Sequence, residues 1–482
     1  MRNSKLLDII QLLTPKERIR LQELVYSPYY NKHQNSQKLL SYLLEIIDSD
    51  ADSGLFSKEA AFAHLFPNES YDVQRIKDVM SLLTKLVEQY LQLVNYEKEP
   101  IGGQLCLLRE LRSRNAGKYF EQAERLMRQS LEKTKDDSER HRWGFELESE
   151  ADTYFMSQSA RAQHESIQHR SNHLDRYYLL NKLRVSCEMI NRSNIVKVKY
   201  DMPFLDEACL HLDAHHELYA DEKLLLAYYR ILKALTEPEN EAHYSALINY
   251  LNENVMAFDA NEARGMYDYA KNYCIKKINS GKSEYLQRLF EVYKALLHNK
   301  VIYQNGILTE WDYKNIVTVA TRQKEFDWCH EFIEYNRPLL DPAQRDNAYT
   351  YNLAMLHYSR NQLKEAMILL RDVEFTDLYY GLGAKTTLLK TYYELDELDA
   401  FFNMIDTFRT FLKRNKLISE YQFKVNSNLL KFAKKLATLK NKKGVVSHNA
   451  FDKELQALQK SIASTKEITN VDWLKQKMGE LS

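Results

Sequence analysis

Leu353-Ala-Met-Leu-His-Tyr358-Ser-Arg-Asn361-Gln-Leu363-Lys-Glu-Ala366-Met-Ile-Leu-Leu370 reads as a helix, a turn and a second helix. Apolar residues recur at three- and four-residue steps on either side of Asn361, the period of an amphipathic helix. The stretch also nearly repeats. Leu353-Ala354, Tyr358, Leu363 and Leu370 are answered 35 residues later by Leu388-Leu389, Tyr393, Leu398 and Ile405. Upstream, Ile316-Val317, Phe326, Cys329 and Phe332-Ile333 match Leu353-Ala354, Leu363, Ala366 and Leu369-Leu370 at a spacing of 37. Small residues (Cys329, Ala354, Ala366) fall where paired helices must approach closely. Large ones (Phe326, Tyr358, Tyr393) fall where the next pair is met. A hairpin this short cannot bury its apolar face alone, so successive hairpins are expected to stack.

Helical periodicity extends through the rest of the chain. Leu82, Leu83, Leu86, Val87, Tyr90, Leu91 and Val94 form one stripe, and Leu224–Leu235 is apolar enough to be covered on two sides. Asn194–Tyr200 is a single island of strand-favouring residues. Gly and Pro total only 20 of 482 residues, far below the roughly 12% of an average protein, which excludes an all-β chain with its frequent turns. The length exceeds the ~250–300 residues that one core organises. The expected fold is therefore all-α, an α-solenoid of stacked antiparallel helix pairs behind an N-terminal helical cap. Breaks are read at Asp48–Ser57, Lys98–Gln104, Gln304–Gly306 and Asn441–Asn449, with Ser57 and Thr309 as helix caps. They divide the chain into a cap (1–97), a helical array (104–440), and a basic linker with a C-terminal helical segment (441–482). Trp473 and Leu474 in that last segment are candidates to dock back on the array.

Residues 350–410 resemble a tetratricopeptide repeat through Leu353, Ala354, Asn361, Ala366 and Leu370, with Tyr358 one place from the usual aromatic position. Asn361 stands where that family has a turn glycine, and no proline closes the repeat. More of the chain is similar to a group of all-helical cytoplasmic proteins common in Bacteroidota. Ser27-Pro-Tyr-Tyr-Asn31, Asn272–Asn279, Tyr313–Thr318 and Phe326–Phe332 carry that likeness. The first resemblance implies a TPR-like array; the second brings no biochemical activity.

A cytoplasmic protein is expected. Asp8, Gln11 and Thr14–Glu17 interrupt the apolar start before it could serve as a signal peptide, and no run of ~18 apolar residues would span a bilayer. The five cysteines are widely separated and read as reduced, buried thiols. With 67 basic and 67 acidic side chains, no whole-molecule field draws nucleic acid or membrane.

Motifs for chemistry are sparse. His164 and His169 miss the zinc-protease HExxH spacing by one residue and lie about 140° apart on a helix. His169 with His173, and His211 with His215, are spaced to share a face, so a metal held at the second pair is one alternative. Gly281-Lys-Ser283 lacks the first P-loop glycine, and Gly102-Gly103 lacks the rest of a dinucleotide fingerprint. No catalytic residue, cofactor or small-molecule substrate is expected.

Tyrosine is the compositional anomaly, at 33 residues. It suits half-buried seams between helices, and equally a recognition surface. In a helical array the first helix of each pair lines the concave groove. The repeat register places Lys314, Tyr351, Met355, Tyr358, Lys390 and Tyr393 there, suited to a peptide carrying carboxylates. An intracellular scaffold binding a protein or peptide on that Tyr/Lys surface is the expected function. The alternative partner surface is basic. Between Tyr421 and Phe451 lie Lys424, Lys431, Lys434, Lys435, Lys440, Lys442 and Lys443 with no acid, the phosphate-contacting patch of the alternative reading, a nucleic-acid-linked regulator.

Overall fold

Capping residues cut the periodic sequence into discrete helices. Thr14 and Glu17 form a reciprocal capping box with Pro15 at the first helical position, and Ser57, Asp72 and Thr309 accept from backbone N–H groups of the turns they start. The structure, a computed structural model, describes residues 4–49, 53–135, 137–158, 164–196, 198–373 and 378–481. Among these the chain is all-helical, with no strand beyond two isolated bridges. No described helix is long and apolar enough to cross a membrane.

Two compact units divide the chain, Met1–Asn181 and Lys182–Ser482. The first begins with α1 (Lys5–Leu12), α2 (Pro15–Tyr26), α3 (Gln34–Asp48), α4 (Lys58–Leu65) and α5 (Val73–Lys98). These enclose one core in which Ile10, Leu21, Leu39, Phe62, Ile76 and Leu83 are buried. A second core, with Leu108, Phe120, Met127 and Leu147 at its centre, joins α6 (Pro100–Ser113), α7 (Gly117–Glu132) and α8 (Asp137–Gln158). The helix that follows, α9, is Ser166–Val196.

The residues 98–104, read as a break, interrupt the helices only at Glu99. Pro100 starts α6, and Gly102 and Gly103 lie inside it; a Cβ on Gly103 would stand 3.1 Å from the Tyr96 hydroxyl, and one on Gly102 would meet Trp143 at ordinary contact distance. Gly103 thus sits at a close approach, and its compact unit continues to Asn181. Of the strand-favouring island, Asn194–Val196 complete α9, Lys197 lies outside the described residues, and 198–200 are irregular. Asp50–Asp52 also lie outside them.

The second unit continues with α10 (Leu205–Ala214), α11 (Lys223–Thr236), α12 (Glu241–Asn254), α13 (Ala260–Asn279) and α14 (Tyr285–His298). Then follow α15 (Glu310–Arg322), α16 (Phe326–Asn336), α17 (Arg345–Ser359), α18 (Leu363–Asp372), α19 (Leu378–Glu394) and α20 (Leu398–Arg414). The chain ends in α21 (Glu420–Lys442), α22 (His448–Ser464) and α23 (Val471–Gly479). From α11 to α22 helices pack on their neighbours in sequence, and α15 packs on α17, α17 on α19, and α21 on α23.

Between α15 and α20 the repeat seen in the sequence is physical. The turns of three successive hairpins place Lys324, Asn361 and Asp396 at φ of 63°, 62° and 60°. In each, the next residue's N–H reaches back five residues: Glu325 to Ala320 O (3.0 Å), Gln362 to His357 O (2.9 Å) and Glu397 to Tyr392 O (3.0 Å). This closure satisfies carbonyls that a helix end leaves bare. The buried positions keep the same register: Val317, Ala354 and Leu389 in the first helices, then Cys329, Ala366 and Phe401, and Ile333, Leu370 and Ile405, in the second. Small side chains occupy the close approach in two hairpins; the third has Phe401.

Candidate functional site

The six residues expected to line one groove fall into two clusters inside the second unit. On α15 and α17, Lys314 Nζ lies 5.3 Å from the ring centre of Tyr351, 4.7 Å from Tyr380 and 5.5 Å from Trp311. Tyr351 meets Tyr380 edge-on at 4.7 Å, and Tyr380 donates its hydroxyl to Glu310 O. Tyr351 is only 4% exposed, and burial pushes its hydroxyl pKa up to about 12. One turn on, Met355 Sδ accepts from Thr387 Oγ1 at 3.4 Å.

The second cluster is centred on Glu394, the last residue of α19. Its Oε1 accepts from Tyr358 Oη at 2.9 Å and from Trp473 Nε1 at 2.7 Å, with Lys477 Nζ 3.8 Å away. Lys390 Nζ lies 4.8 Å over the Tyr358 ring and 3.5 Å from Asn470 Oδ1. Tyr393 packs edge-on against Trp473 at 5.3 Å, and Lys440 Nζ stands 4.9 Å from its ring centre. Burial lowers the pKa of Lys390 against the opposing pull of Glu394. Burial first, and then the Glu394 charge, raises that of Tyr358. A carboxylate in such surroundings selects donors: it holds an indole N–H, a phenol and an ammonium at once.

The expected open groove is therefore not what these residues form. Tyr393 is 3% exposed, and α23 lies against the end of α19 with Trp473 and Leu474 buried. At the Glu394 cluster the chain's own C-terminal helix brings Trp473 and Lys477 to a carboxylate, where a separate segment carrying carboxylates was expected to bind.

A second surface escaped the sequence reading. An open cleft of about 780 Å3 runs between the end of α14, the loop 300–306 and α16. Trp328 stacks on Phe332 at 5.4 Å and meets Phe290 edge-on at 4.8 Å, while Tyr335 is largely exposed. The signal was present as aromatic residues at 328, 332 and 335, spaced to share one helix face.

The lysine run does not form one stripe. Lys424 pairs with Glu467, Lys440 with Asp396 and Lys442 with Glu454, and Lys443 donates to Leu481 O. Lys431, Lys434 and Lys435 instead line a cleft beside Arg409. His211 and His215 do share a face, with ring centres 4.9 Å apart, but their further contacts are within the protein. His211 Nε2 is 2.9 Å from Tyr219 Oη, and His173 Nδ1 faces His141 Nδ1 at 3.0 Å. Among the described residues no three His, Cys, Asp or Glu side chains are grouped to hold a metal. No family model, curated protein or solved structure matches the chain.

Proposed function

We propose that the chain is an intracellular interaction scaffold, a TPR-like array whose first-helix face between α15 and α19 holds a helical segment without bond-making chemistry. The observation that carries this reading is the engagement of Glu394. It takes an indole N–H from Trp473 and lies beside Lys477, four residues further along α23. A partner helix with an aromatic N–H donor and a cation one turn later fits the same surface. In this reading α23 is the resident ligand, and partners exchange with it. The five free cysteines, three of them buried, suit a reducing compartment.

The test is binding in trans. A fluorescein-labelled peptide spanning residues 466–481 is titrated into the full-length protein and into its Trp473→Ala/Lys477→Ala variant. The variant is expected to bind the peptide saturably, and the wild type, whose surface is filled, to bind it at least about tenfold more weakly. A variant with unchanged helicity that ignores the peptide would count against a recognition surface and leave α23 as ordinary core.

A further inference from the structure

A basic cleft elsewhere in the second unit has no assigned role and stands independently of the surface at Glu394. It lies between α20, α21 and α22, with a volume of about 540 Å3. Four cations line it: Arg409 from α20, and Lys431, Lys434 and Lys435 from α21. The three lysines are exposed and occupy one helix face at i, i+3 and i+4, where like charges repel. Leu439 and Leu458 form its buried wall, and Ser461 lines it from α22.

The pairing of neighbouring charges sharpens the contrast. Lys424, Lys440 and Lys442 each meet a carboxylate from outside the run. No described carboxylate lies within ion-pair distance of Lys431, Lys434 or Lys435; Arg409 has only the exposed Asp406 of its own helix, at 3.6 Å. Glu454, the one acid among the described residues lining the cleft, is turned to Lys442 at 2.8 Å. The fold thus neutralises the ends of the lysine run and leaves its middle uncompensated around a concavity.

We propose that this cleft binds a compact polyanion carrying two or more linked phosphoryl groups. Lysine ammonium groups are rotatable three-donor point charges suited to phosphate oxygens, and Arg409 adds a planar fork. The volume falls in the range of small-molecule sites. A nucleic-acid strand would need a basic stripe that continues along the surface, and the paired flanking lysines end it on both sides.

Titration calorimetry of the full-length protein with sodium tripolyphosphate tests the assignment, beside the Lys431→Gln/Lys434→Gln variant and the charge-matched control Lys413→Gln/Lys416→Gln. All four positions are exposed, so both variants keep the fold. Saturable binding by the wild type is expected, weakened by added salt, at least about tenfold weaker in the first variant and unchanged in the control. Absence of saturable binding, or equal loss in both variants, would overturn it. So would tighter binding of a single-stranded oligonucleotide that depends on Lys424, which would return the site to a nucleic-acid contact.

Discussion

Lys324, Asn361 and Asp396 hold a left-handed backbone conformation that costs a residue with a Cβ about 1 kcal/mol, and asparagine the least of the three. Lys324 is exposed, so Lys324→Gly is expected to raise the unfolding free energy by about 0.5–1 kcal/mol. Asn361→Gly should gain less. Asp396→Gly should gain little, because it forfeits the pair with Lys440. Urea midpoints of the three variants give the order directly, and a destabilised Lys324→Gly would contradict the turn geometry. At another residue, burial and then the neighbouring His141 charge hold the His173 pKa down to about 4. Arg140, Arg176 and Glu148 also act on it, and Gly144 packs against its ring. The unfolded chain takes up this proton near 6.5. Its contribution is therefore complete above that pH and is lost as pH falls towards 4. Between pH 7 and 5 the loss should reach roughly 1–2 kcal/mol, after allowing for partial exposure. A urea midpoint at each pH measures it, and His173→Asn should flatten the slope.

α17 and α19 owe their closeness to a single small residue. A Cβ built on Gly383 of α19 would stand 2.3 Å from Tyr351 Oη of α17, with the ring itself 3.2 Å away. Gly383→Ala is thus expected to destabilise by about 1–3 kcal/mol through overpacking, despite alanine's better helix propensity. Adding Tyr351→Phe should recover part of that loss, and a thermal-unfolding series reads both. Such local features made the hairpins legible in the sequence. Leu353, Ala354, Ala366 and Leu370 set their register within eighteen residues, and Asn361 marks the turn because asparagine tolerates its conformation. The site was less legible. Tyr358 and Lys390 were placed on the correct helices, yet their surroundings depend on Asn470 and Trp473, some 80 residues beyond Lys390. Periodicity reports which face of a helix is apolar; it does not report which distant helix covers that face.

Across the whole molecule the same limit applies to charge. A sum of zero described the chain correctly, and the run of seven lysines described one segment correctly. Neither disclosed that Asp396, Glu454 and Glu467 would neutralise three of the seven and leave the middle lysines together. The proposed function rests on these distant pairings, chiefly on a C-terminal helix held by one carboxylate. That contact is directly observable. The chain has four tryptophans, so 15N-tryptophan labelling gives four indole N–H resonances, and Trp473→Phe identifies one of them. With Trp473 Nε1 bonded to Glu394, this resonance should exchange slowly with water and shift in Glu394→Gln. A Trp473 indole that exchanges as fast as a free one and ignores Glu394→Gln would contradict the docking of α23, and with it the recognition surface.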